Sequence, residues 1–493
     1  MQPRGGGTDS ESPPFLSIAL DFFAITSYSL VDGSVSPALT TPSLSPASLG
    51  GAFDLYRQAA PEEFFQELEK ELNLPVRQRL FSLSLVMWMM IWQRLSPKAT
   101  MSAAVQEVVE LRPRALMPDY KRVQEKTVGS GTGAYSDARQ AIPIEAAERV
   151  ADRVYRQLAP SHREALPGWK RPVLILDGST LEMPHTKELV QAYPPATNQH
   201  GVSHWPVMRF LVAHELTTGV AVRPCWGPMY GPEAVSEQSL TELLLDHLPE
   251  LSVLMGDINF GVFSVAYAGR KRGHDLLLRL LPVRAGVVGG RLPLSLGTDR
   301  QVCWQPSAYD RKRHPELPAD ACVQGRLMVQ EVTTSAGTRV TLYVFTTLSL
   351  GVEQILQLYG QRWSIETDLR SLKQTVKLQV LRCQSVKMIA KELILGIVGY
   401  NLVRAVMNAA AEQHQIDPRR LSFSRSQDVV NAAMPGLEAA ATEAEYQIRL
   451  CRMLQRVASC KLPDRSKRAS APRQIWGRSH KFAKRKIDAP NKS

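Results

Sequence analysis

The chain has 493 residues, too many for one compact core, so two to four structural units are expected. Its 44% hydrophobic content is ordinary for a globular protein, and its formal charge of +12 suits either a polyanionic partner, most simply nucleic acid, or equally a surface of solvated lysines. Six cysteines without a CxxC pair suggest neither a zinc ribbon nor a disulfide framework, and fit buried, reduced thiols in a cytoplasmic protein.

The opening MQPRGGGTDSESPP lacks the basic start and apolar stretch of a secretion signal. Residues 1–50, rich in Ser, Pro and Gly, read as a disordered extension or as an upstream extension of the reading frame; the apolar stretch Phe15 to Val31 fits disorder poorly. From Ala52 to about Arg114 the pattern is helical. EEFFQELEKEL is amphipathic, and FSLSLVMWMMIWQRL is a core helix too short to span a membrane. SPKATMSAAVQEVVEL opens with Ser96 and Pro97 as a cap and first-turn pair. The short helices of 51–125 read equally as a DNA-binding domain or as a plain bundle. GSGTGAYSDARQAIP follows no strand and precedes no GKS or GKT, which favours a linker over a phosphate loop. A helix from about Pro143 to Leu158 completes a linker-and-helix segment, 126–170.

The pattern then changes. RPVLILDG is a continuous apolar run ending in Asp177 and Gly178, as a buried strand does. VMRFLVAHEL and GVAVRPCW flank a TTG turn and predict an antiparallel hairpin. EQSLTELLLDHL predicts a helix, LSVLMGD a second apolar strand ending in Asp257, and DLLLRLLPVRAG a further strand. The stretch from about Ala285 to Leu348 is β-like, with LMVQEVT and RVTLYVFTTL around a turn at Ser335 to Thr338. Helical patterns run from Val352 to about Val376 and through SVKMIAKELILGIVGYNLVRAVMNAAAEQ, and residues 413–460 stay helical.

Acids that end apolar strands stand where open sheets collect ligands and metals. One such acid is more often a turn former; a pair is harder to dismiss. The helix YGQRWSIETDLRSLK adds Tyr359, Arg362, Glu366 and Lys373 at offsets of 0, 3, 7 and 14, which on a straight helix share one stripe. A phenol, two cations and a carboxylate on one stripe are not a packing surface, although an Arg362–Glu366 pair on a solvated face would also produce them. Three carboxylates can hold two Mg²⁺ ions, which neutralise charge on a phosphodiester under attack, while adjacent cations grip phosphates.

The spacing Tyr359-(2)-Arg362-(3)-Glu366-(6)-Lys373 resembles the YREK signature of bacterial insertion-sequence DDE transposases, the IS-four family. VLILDGSTLEMP is similar to that family's first-acid motif, GDINFG followed by Phe263 to its second, and GTGAYSDARQAIP to the segment before its catalytic domain. The resemblance runs from about Ala52 to the C-terminus. It implies an α/β fold: an RNase H-like core, a mixed sheet flanked by helices, split into 171–284 and 349–412 around a β-rich insertion at 285–348, with helical N- and C-terminal regions. It implies Asp177, Asp257 and Glu366 as catalytic acids holding two Mg²⁺ or Mn²⁺ ions, and Tyr359, Arg362 and Lys373 as contacts to double-stranded DNA. It implies cutting of transposon ends and joining of the 3′-OH to target DNA, in an assembly of at least two protomers. A related nuclease without strand transfer and a non-catalytic DNA-binding regulator are the alternatives; the complete acid set favours the enzyme. Trp304, the only tryptophan in the β-rich block, is a candidate for stacking a flipped base or simply for packing.

From Lys461 to the end, eleven Lys or Arg stand against two Asp, a basic tail suited to a phosphate backbone. His200 and His204 lack a third ligand, which argues against a metal site there.

Overall fold

The structure is a computed structural model that describes residues 50–74, 80–159, 165–167, 169, 171–198, 201–333 and 339–463. The readings of residues 1–49, His200, the Ser335 to Thr338 turn and the tail from 464 onward lie outside the described residues.

Nine strands form the sheet: β1 (Val173–Glu182), β2 (Pro195–Asn198), β3 (Gly201–Glu215), β4 (Cys225–Pro228), β5 (Val253–Gly256), β6 (Asp275–Arg279), β7 (Asp299–Trp304), β8 (Val323–Thr333) and β9 (Arg339–Thr346). Their order is β2-β3-β1-β5-β6-β9-β8-β7, with β4 also on β3. β1, β5 and β6 run parallel, and β3 is antiparallel to both β1 and β4. β7, β8 and β9 form an antiparallel set, and β9 bonds to β6, so this set continues the same sheet.

The apolar run of β1 explains its central place. Side chains alternate across a strand, so Val173 and Ile175 enter one core while Leu174 and Leu176 enter another. A strand buried on both faces must be continuously apolar. The first face is covered by the helix Val386–Gln413, the second by Glu237–Leu245 and Phe263–Lys271. Val386–Gln413 is long and apolar enough to cross a membrane, yet 83% of its most apolar window is buried in the fold. It is the core helix, and the helix Leu83–Leu95 packs on it.

Several sequence expectations need correction. Ser96 ends the helix Leu83–Leu95; the next helix, Met101–Val109, begins later because the Thr100 side chain caps it, accepting from Ala103 N at 3.1 Å. The glycine-rich linker is partly helical, Gly133–Ala141, docked by the buried Tyr135, whose hydroxyl donates to Gln93 at 2.7 Å. The strand predicted from DLLLRLLPVRAG stops at Arg279, and Pro282 opens a short helix, Pro282–Val288, as proline in a first turn does. The thiols are all free, but Cys303 and Cys451 are exposed and only Cys225 and Cys460 are buried. The helix expected from Val352 to Val376 is interrupted. Val352–Gly360 passes into a 3₁₀ turn at Gln361–Trp363, then Ser364–Arg370, then a π turn at Ser371–Thr375. Tight and wide turns shift the angular phase, so a straight-helix stripe does not describe these residues.

A cleft lined by distant carboxylates

Asp177 lies inside β1 rather than past its end, because β1 continues to Glu182 along β3. Toward β5 it is at the open edge. The parallel register pairs Ile175 with Met255. β5 ends at Gly256, so Asp257 follows directly beyond the last paired residues, close enough for its charge to act on Asp177. The Asp177 carboxyl accepts from Gly178 N at 2.9 Å. Burial pushes it up to about 7, and the Asp257 charge pushes the same way; Arg362 opposes both, and Glu237 adds to the rise.

Asp257 opens a turn. Its carboxyl accepts from Asn259 N at 2.8 Å, and its carbonyl accepts from Phe260 and Gly261. Gly261 is required there: a Cβ would lie 2.1 Å from the Arg279 carbonyl.

Glu366 arrives from the other end of the chain on the helix Ser364–Arg370. It lines a cleft of about 350 Å³ together with Asp177, Arg370, Lys373, Gln374 and Gln379. Lys373, on the π turn, donates to Ser179 Oγ at 3.1 Å, two residues beyond Asp177. Arg362 and Tyr359 are buried. The Arg362 guanidinium lies 4.7 Å from the Trp363 ring centroid. Burial pushes the Tyr359 hydroxyl up, Arg362 and Arg279 pull it down, and Asp257 adds to the rise. Among the described residues, Tyr359 Oη and Arg362 Nε are buried polar atoms without a hydrogen-bond partner.

Asp177, Glu366 and Lys373 thus share one cleft, and Asp257 faces Asp177. Among the described residues, however, no three His, Cys, Asp or Glu side chains form a ready metal cage. Asp177 links them: it lines the cleft with Glu366 and feels the charge of Asp257.

A fourth acid escaped the sequence reading. Glu237 begins the helix Glu237–Leu245, and a Cβ on Gly178 would lie 2.4 Å from its Oε1. Burial pushes this carboxyl up; Arg209 pulls it down, and Asp257 raises it further. In the sequence it looks like an ordinary first-turn acid after the Ser236 cap. Trp304 is excluded from stacking on a base: it is 3% exposed, with ring centroids of Phe345 and Phe263 at 4.9 and 6.1 Å. His204 stacks on His185 at 4.4 Å.

Residues 168–402, from just before β1 through most of the core helix, match the family model described as Transposase DDE domain. This match and the mixed sheet define the class: an RNase H-like core of the DDE transposase type. Over 445 residues the chain is 25% identical to Transposase InsG for insertion sequence element IS4 of Escherichia coli (strain K12), covering 88% of this chain and 93% of that protein. Together the two likenesses support an IS4-family DDE transposase, the transposase of an insertion sequence.

Proposed function

We propose that this transposase cuts transposon ends and joins the freed 3′-OH to target DNA at the cleft of Asp177, Asp257 and Glu366. The observation that carries this reading is the meeting of Asp177, Glu366 and Lys373 in one cleft, with Asp257 just past the end of the adjoining strand and its charge acting on Asp177.

The residues fit divalent ions. The Asp177 carboxyl is sunk in the site beside a second acid, and such a pair keeps both charges only when a cation joins it. Asp177, Asp257 and Glu366 would hold Mg²⁺ or Mn²⁺, two ions in this reading, through the oxygen ligands these metals prefer. When bound, the ions supply charge neutralisation at the phosphorus under attack. The protein supplies the rest. Lys373 lies half-buried in the cleft lining and grips a phosphate beside the scissile bond. Arg362 and Tyr359, buried near Asp177 and Asp257, would help to hold the DNA end in this reading. The two ends of one element call for two copies of this site, so a homodimer on double-stranded DNA is the working assembly.

The test uses the purified chain, a duplex from the DNA flanking its gene, and a supercoiled target plasmid with Mg²⁺. Nicking at the element boundary and covalent joining are expected. Nicking without joining would leave a nuclease, and binding without either a regulator.

A further inference from the structure

Behind the cleft, the helix that carries Glu366 is held by an ion cluster that plays no part in the reaction proposed above. Asp368 follows Glu366 by two residues, about 200° around the helix, and is wholly buried while Glu366 faces the cleft. Arg404 donates through Nη2 to Asp368 Oδ1. Arg419 donates through Nη1 to Oδ1 at 2.8 Å and Oδ2 at 2.7 Å.

The two arginines come from separate segments, and each has a second anchor. Arg404 belongs to the core helix; its Nε donates to the Tyr400 hydroxyl at 2.8 Å, which donates to the Gly219 carbonyl at 2.9 Å. Arg419 belongs to the turn Pro418–Arg420 and donates to the carbonyls of Leu216 at 2.8 Å and Glu215 at 2.9 Å, where β3 ends. Gly219 has φ +75, and a Cβ there would lie 2.6 Å from Arg419 Nη1, so this loop closes directly on the guanidinium. Two parts of the chain therefore converge on one carboxylate, and the loop after β3 holds both from behind.

We infer that Asp368, Arg404 and Arg419 form a positioning clamp that fixes the rotation and depth of the Ser364–Arg370 helix, and so the place of the Glu366 carboxylate in the cleft. The inference rests on the reading of Glu366 as a metal-holding acid. Buried ion pairs add little net stability over an apolar replacement, but they impose direction. Direction is what this helix lacks on its own: a 3₁₀ turn precedes it and a π turn follows it, so neither flank continues its register. The clamp supplies the lateral reference.

The experiment is calorimetric titration of Mn²⁺ into the full chain without DNA, each variant being checked for folding by circular dichroism. Asp368→Asn should weaken Mn²⁺ binding about tenfold, as loss of a group orienting a ligand does. Glu366→Gln should weaken it at least as much, and the double variant should bind no worse than Glu366→Gln alone, since both changes act through one carboxylate. If Asp368→Asn does not fold, Arg419→Lys serves: it keeps the Arg404–Asp368 pair, loses the anchors to the Leu216 and Glu215 carbonyls, and should weaken binding in the same direction. Unchanged Mn²⁺ affinity in the folded Asp368→Asn or Arg419→Lys protein, with Glu366→Gln impaired, removes the clamp alone. Unchanged affinity in Glu366→Gln removes the reading of Glu366 and the clamp with it.

Discussion

Two aspartates on the two sides of the Glu366 helix have opposite fates. Burial pushes both carboxyls up. At Asp368 the guanidiniums of Arg419 and Arg404 outweigh burial and hold the carboxyl below its ordinary value. At Asp177 burial and the Asp257 charge outweigh the pull of Arg362, with Glu237 adding to the rise, so the carboxyl reaches about 7. The molecule can neutralise a buried acid fully when structure is the purpose. In the cleft it leaves the neutralisation incomplete, as the proposed binding of a cation there requires.

That contrast is easiest to break at the cleft. Asp177→Asn, Asp257→Asn and Glu366→Gln should each lower end cleavage by about a thousandfold or more, the scale of removing a group the reaction needs. DNA binding, read by gel shift, should change little. Cleavage at wild-type rate in any of the three would make that acid part of the frame, like Asp368. A smaller effect is expected at Lys373. Its replacement by Ala should weaken DNA binding and flatten the dependence of log K on log salt by about 0.9, the contribution of one phosphate contact. An unaltered slope would confine Lys373 to its bond with Ser179.

Gly178 sharpens the comparison from the packing side. Gly178→Ala places a methyl on the Glu237 side chain, with contacts of 2.4 to 2.7 Å unless Glu237 moves. The strain should cost about 1–3 kcal/mol in urea unfolding. Glu237→Ala in the same chain should recover most of it, and additive costs would show that the two do not press on each other.

What could be read beforehand follows from the range of the forces involved. β1 and β5 were legible because a strand buried on both faces has a continuous apolar signature, and Asp177 and Asp257 were legible because they close those runs. The acid on the Glu366 helix was found through a spacing that resembles a family motif. Periodicity alone put Glu366 on a straight stripe, and the 3₁₀ and π turns show why that geometry fails: interrupted helices keep their residue spacing and lose their phase. Glu237 and the Asp368–Arg404–Arg419 cluster were invisible. Their partners lie 36 to 51 residues away along the chain for Asp368, and Glu237 meets Gly178 only through the fold. The cap at Ser96 was misplaced for a local reason, since Thr100 offers the same hydroxyl four residues later, directly before the apolar periodicity begins.

The smallest effect tests whether incomplete neutralisation is confined to the cleft. Glu438 ends the helix Phe423–Glu438, where a negative charge meets the unfavourable end of the helix dipole. Burial pushes its carboxyl up to about 8, with Glu107 and Asp54 adding to the rise against Arg112. A carboxyl raised in the folded state binds its proton more tightly there than in the unfolded chain. Between the ordinary value of 4.5 and about 8, the folded form therefore carries the extra proton, and stability falls as pH rises through this window. Glu438→Gln keeps the neutral shape and removes the slope. The variant should melt a few degrees above the parent at pH 8, roughly the shift that one or two kcal/mol gives in a chain of this size, and close to it at pH 5. An equal difference at both pH values would mean that packing, not charge, separates the two. A pH-dependent gain would place a second strained acid between the N-terminal helices and the C-terminal ones, far from any proposed chemistry. A raised carboxyl alone would then not mark a site; the cleft would be distinguished by Asp177, Glu366 and Lys373 lining one opening, with Asp257 beside Asp177.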